Sequence, residues 1–88
     1  MVRFLSGKEM ISREAAHDHL AKILELPEYY GRNLDALYDL LMEISEETEL
    51  VLLDPELVVH YLGRYGEALL STLQEAAEEN PNLIIVLA

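Results

Sequence analysis

The chain has no cysteine among its 88 residues. Disulfides and cysteine-based metal sites are therefore excluded, and a reducing compartment is a natural home. Bases are scarce as well: six lysines and arginines stand against seventeen acids, a net charge of −11. That balance opposes any polyanionic partner, so nucleic acid and anionic membranes are disfavoured. No apolar run approaches a membrane span, and the opening MVRFLSGKEM holds no stretch suited to a signal peptide. The expected address is the cytosol. There is no glycine-rich phosphate loop, serine–histidine motif, internal repeat, low-complexity tract or linker. Nucleophilic and nucleotide chemistry thus have no visible apparatus. No cofactor is expected, and the chain does not read as an enzyme.

What is present suffices for one compact domain, residues 1–88. The hydrophobic content is 51%, which argues against disorder. A chain of this length buries only about 60–65% of its unfolded surface, so its core must be small and well filled. The charge is unevenly spread. Residues 1–27 hold four acids and four bases, and residues 57–88 hold four acids and Arg64. Residues 28–56 hold nine acids and the single base Arg32. Such an excess fits either a solubilising surface or a negative face aimed at a basic protein.

Three short apolar runs, Val2 to Leu5, Leu50 to Leu53 and Leu83 to Leu87, predict strands. The last two hardly alternate, which predicts a parallel sheet covered on both faces. Four helical patterns lie between them. Ser12 caps the first, with Ala16, Leu20, Ile23 and Leu24 on one face and an end before Pro27. Gly31 makes a turn, and Asn33 caps the second helix, whose inner stripe is Leu34, Leu37, Leu41 and Ile44. Asp54-Pro55-Glu56 starts a third with a capping aspartate and a proline at the first position, and Gly63 stops it. The fourth is expected from about Gly66 to Glu79, before Asn80 and Pro81. The class is α/β, a three-stranded parallel sheet with four helices in the order β-α-α-β-α-α-β, joined by right-handed crossovers.

The segment Leu26 to Leu41, LPEYYGRNLDALYDLL, holds the unusual chemistry. With Leu34 at 0°, Asp35 falls near roughly 100°, Asp39 near 140° and Glu43 near 180° around the helix, bordered by Tyr38 and Met42. Like charges at i, i+4 repel by roughly a few tenths of a kcal/mol, and no base shares this face. Asp35 gains from the helix dipole in the first turn, but Asp39 does not. Of Tyr29 and Tyr30, one is expected to pack inward and one to present its ring to solvent or a partner. Glu75 and Glu79 repeat the i, i+4 acidic spacing on the last helix, where a solvated face explains them as well. His17 and His19 flank Asp18 but do not share a face, so they read as surface histidines rather than a metal site. His60 stands alone and reads as structural or exposed. An open acidic strip also lacks the cleft that a carboxylate hydrolase needs.

LPEYYGRNLDALYDLL closely resembles the signature segment of the barstar family, small intracellular inhibitors of secreted barnase-type bacterial ribonucleases. The resemblance runs through nearly the whole chain, from the opening strand through the LVL strand to the acidic last helix and closing apolar strand. It implies a three-stranded parallel sheet with helices and a loop-and-helix surface that plugs the ribonuclease active site. On that resemblance Tyr29 stacks on the enzyme's catalytic histidine. Asp39 stands in for the RNA phosphate, Asp35 meets a neighbouring arginine, and Glu75 adds an acidic contact. Gly31, Asn33 and Leu34 shape the loop and supply closer contacts, and Tyr38 and Met42 complete the candidate surface. The chain departs from the family where Tyr38 replaces a tryptophan and Arg32 replaces an acid. It also lacks the family's tryptophan and proline between Ile44 and Thr48, and its Tyr61 to Gly66 region is shorter. The implied partner is a basic extracellular-type ribonuclease bound one to one by a chain that is monomeric when free. The alternative keeps the fold but changes the partner to another basic protein, as an antitoxin or immunity module would. An enzyme acting through Asp35 and Asp39 is the third and weakest reading.

Overall fold

The computed structural model describes all 88 residues, Met1 to Ala88. Strand β1 (Val2–Ser6) leads through a single 3-10 turn (Gly7–Glu9) into helix α1 (Arg13–Leu24). Helix α2 (Leu34–Met42), strand β2 (Thr48–Leu53), helices α3 (Pro55–Leu62) and α4 (Arg64–Glu79) and strand β3 (Leu83–Leu87) follow. The order is the expected one. All pairing is parallel, with β2 in the middle: Phe4 lies beside Val51 and Val51 beside Val86.

Local signals account for most boundaries. The Ser12 hydroxyl accepts from the Ala15 amide at 3.0 Å, which satisfies one orphan donor of α1. Glu25 then takes a left-handed conformation (φ 53°) and the chain leaves the helix before Pro27. At α3 the expectation is half right. Pro55 occupies the first turn, but Asp54 makes no side-chain cap and adopts φ 52°; its carboxylate lies instead 4.0 Å from Lys8 Nζ. Helix α4 begins earlier than expected, at Arg64. Gly63, with φ 58°, lets α3 turn directly into α4, and Gly66 allows the two to touch. A Cβ at Gly66 would sit 2.4 Å from the Val58 carbonyl oxygen, so only glycine fits there.

The core lies between the helices and one face of the sheet. Leu5, Leu50 and Leu52 from the strands meet Leu20, Leu37, Leu41, Leu69 and Leu73 from the helices, all buried. The expectation of a sheet covered on both faces is overturned. Val2, Phe4, Ile84 and Val86 project from the other face and stay between 37% and 57% exposed. Strands that follow one another in sequence order, joined by crossovers of one hand, receive every helix on the same side. Asn80 closes the helical layer: its buried amide donates to the carbonyls of Leu41 and Ile44 at 2.9 and 3.0 Å, tying the end of α4 to the end of α2. No helix is long and apolar enough to cross a membrane.

Candidate functional site

The site begins with the loop from Leu26 to Asn33. The Tyr30 amide donates to the Pro27 carbonyl at 2.9 Å, which turns the chain so that the two tyrosines diverge. Tyr29 is 78% exposed, whereas Tyr30 is 6% exposed, as the paired tyrosines predicted. Asn33 caps α2: its Oδ1 accepts from the Ala36 amide at 2.7 Å and its Nδ2 donates to the Gly31 carbonyl at 3.2 Å. Gly31 keeps this turn close, since a Cβ there would approach the Asn33 amide and the Ala36 methyl to 3.2 and 3.3 Å. Loop and helix start are therefore one hydrogen-bonded unit.

Helix α2 buries Leu37 and Leu41 and leaves Asp35 and Asp39 exposed. Packing of α2 against α4 brings Glu75 to the same place. Leu34, Asp35, Tyr38, Asp39, Thr72 and Glu75 line one open cleft of about 450 Å³. Three carboxylates thus share a groove floored by Leu34 and Tyr38. None of them is in an ion pair; the pairs in the molecule are Arg3–Glu25, Lys8–Asp54 and Arg32–Asp18. Met42, at the C-terminal end of α2, lies outside this groove. Thr72 was not foreseen. Its hydroxyl donates to the Ala68 carbonyl at 2.8 Å, and its place three residues before Glu75 on one helix face is the signal that could have found it.

Arg32 does not sit among these acids. With φ 54° it turns back toward α1, where its guanidinium bonds the Asp18 carboxylate. The histidines of α1 require a correction. His17 is 2% exposed, with Nδ1 2.5 Å from the Tyr30 hydroxyl and Nε2 2.6 Å from that of Tyr65. His19 is half-buried and its Nε2 accepts from the Ser6 amide at 2.9 Å. Burial lowers the pKa of both; nearby Arg32 adds to the effect at His17 and Lys22 at His19. Burial and Tyr65 push the Tyr30 hydroxyl up to about 12. No three His, Asp or Glu side chains converge to hold a metal ion.

A family model described as "Barstar (barnase inhibitor)" matches residues 1–87. The chain belongs to the barstar family. It is also 41% identical over 76 residues to a Bacillus subtilis (strain 168) protein named "Putative ribonuclease inhibitor YrdF", covering 85% of this chain and 84% of that one. In this barstar-family chain the exposed tyrosine lies in the loop that leads into the capped α2, and α2 and α4 carry the three cleft carboxylates.

Proposed function

We propose that this chain is a non-catalytic inhibitor of a basic, barnase-like microbial ribonuclease in the cytosol, binding one enzyme molecule per monomer over its active site. One observation carries the reading. Asp35, Asp39 and Glu75 are gathered from two helices into a groove lined by no cation, and the loop leading into the first of those helices exposes Tyr29. A ribonuclease site is built to hold a phosphodiester and so concentrates positive charge; a carboxylate groove without internal partners is its complement. Asp39 would occupy the phosphate position, Asp35 and Glu75 would meet flanking cations, and Tyr29 would lay its ring on the catalytic imidazole. Arg32 supports rather than spoils this surface, because Asp18 already holds its guanidinium.

The test is inhibition of a barnase-type ribonuclease by the purified chain and by Asp39→Ala. Inhibition below micromolar concentration is expected. The substitution should weaken it by at least about thirtyfold, the effect of losing about 2 kcal/mol at a hot spot. Equal potency of the two, or no inhibition by either, would remove the proposal. In the second case, a basic non-ribonuclease captured from the native host would establish the immunity-type alternative.

A further inference from the structure

We propose that His17 is a positioning residue for the partner surface: clamped between Tyr30 and Tyr65, it locks the Tyr29 loop onto α1 and α4, and its protonation frees that loop and weakens binding in mildly acidic solution. The inference rests on the reading of the loop and the α2–α4 groove as the partner surface.

The clamp joins the elements that present that surface. Tyr30 is the chain neighbour of Tyr29, and Tyr65 lies in the first turn of α4, the helix that carries Glu75. His17 on α1 bonds both hydroxyls, at 2.5 and 2.6 Å, and neither hydroxyl has another hydrogen-bond partner. A neutral imidazole offers one N–H donor and one acceptor nitrogen, so one tyrosine accepts from it and the other donates to it. Protonation converts both nitrogens into donors. The tyrosine that was donating must then turn its hydrogen away and loses its acceptor within the protein, which weakens that side of the clamp.

The surrounding charges favour the neutral ring. From the loop comes Arg32, bound to Asp18 of α1; from α1 also come Glu14 and Arg13, whose guanidinium stacks 4.1 Å above the Tyr65 ring on α4. Burial is the largest influence and Arg32 the next, with Asp18 opposing them, and together they lower the pKa of His17. A surface depression of about 380 Å³ reaches the rim of the imidazole between Arg13 and Arg32, so a proton needs no unfolding to arrive. Once the loop lifts, the ring is solvated and titrates near its ordinary 6.5. Protons therefore favour the lifted loop below that pH, and affinity declines by at most about tenfold per pH unit.

Two measurements decide the matter. In the free protein, the backbone amide signals of residues 28–33 and the Tyr30 ring should titrate between pH 7.5 and 5 with the His17 ring, while the Asp39 amide stays still. Against one barnase-type ribonuclease, wild type and His17→Gln should be compared over the same range. A glutamine amide supplies a donor and an acceptor without titrating, and the enzyme's own protonation cancels in the ratio of inhibition constants. That ratio should change by up to about threefold between pH 7 and 6, to the cost of the wild type. Parallel pH profiles, or loop signals that ignore His17 titration, would overturn the proposal. If wild type inhibits nothing at neutral pH, the ribonuclease reading falls while the loop titration still decides the clamp. If His17→Gln does not fold, Tyr65→Phe takes its place, and the loop should then lose its joint titration with His17.

Discussion

Carboxylates near β1 and α1 and carboxylates on the α2–α4 face are treated in opposite ways. Every ion pair in the molecule draws at least one member from residues 1–25: Arg3 with Glu25, Lys8 with Asp54, and Asp18 with Arg32. The same side holds the buried His17 with both ring nitrogens bonded. On α2 and α4, Asp35, Asp39 and Glu75 line one groove with no counter-charge. The first region directs its polar groups inward, to the fold. The second leaves its groups without partners inside the molecule, as the proposed binding surface requires. Substitutions in the two regions should therefore fail in different assays.

The largest effect on folding is expected at the clamp. His17→Ala leaves the buried Tyr30 hydroxyl and the half-buried Tyr65 hydroxyl without their partner and a void where the imidazole was. We expect a loss of about 3 kcal/mol in urea denaturation at pH 7. A loss below about 1 kcal/mol would mean that this side is not self-directed after all. Asp39→Ala should do the reverse. Its cost appears in partner affinity, about 2 kcal/mol or more, with free-state stability within about 0.5 kcal/mol of wild type. Destabilisation by as much as the affinity loss would erase the distinction between the regions.

Acid gives an intermediate effect that belongs to the α1 side alone. His17 and His19 both have lowered folded-state pKa values, so the unfolded chain takes up protons first. Above the ordinary value of 6.5 both states are neutral and stability is flat. As pH falls below 6.5 stability declines, by at most about 1.4 kcal/mol per unit for each histidine, until the folded-state values are passed. Denaturation midpoints measured from pH 7.5 to 5 should show this slope, and His17→Gln should remove part of it. A midpoint that held level through this range would leave the histidines with no energetic part in the fold.

How much of this was legible in the sequence follows from the range of the interactions. Caps and turns act within three or four residues, so Ser12, Asn33, Pro55 and Gly63 announced the helices, and the LPEYYGRNLDALYDLL spacing announced the acidic strip. Asp54 misled because its neighbourhood satisfies the local rule while Lys8, far off in sequence, attracts its side chain. His17 looked like a surface residue among polar neighbours; its partners lie 13 and 48 residues away and no local pattern marks them. The strands misled for a related reason. Unbroken apolar runs are the pattern of strands covered on both faces, yet strand order and crossover hand leave Phe4 and Ile84 in solvent. Glu75 entered the candidate surface through family resemblance, and only the packing of α2 on α4 brings it to Asp39.

The smallest effect sharpens the comparison most, because its sign differs between the regions. Neutralising a paired acid, as in Glu25→Gln, should lower stability by about 0–1 kcal/mol. Neutralising an unpaired one, as in Asp39→Asn, should raise it by a few tenths of a kcal/mol, since it removes an i, i+4 repulsion from Asp35 and replaces no contact. Salt supplies the control. Between 0.05 and 1 M the Debye length shrinks to about 3 Å, so both differences should fade as exposed charges are screened. Parallel urea titrations of wild type and the two variants at low and high salt would show it. If Asp39→Asn destabilised the free chain at every salt concentration, the aspartate would be serving the fold, and the groove could no longer be read as charge held ready for a partner.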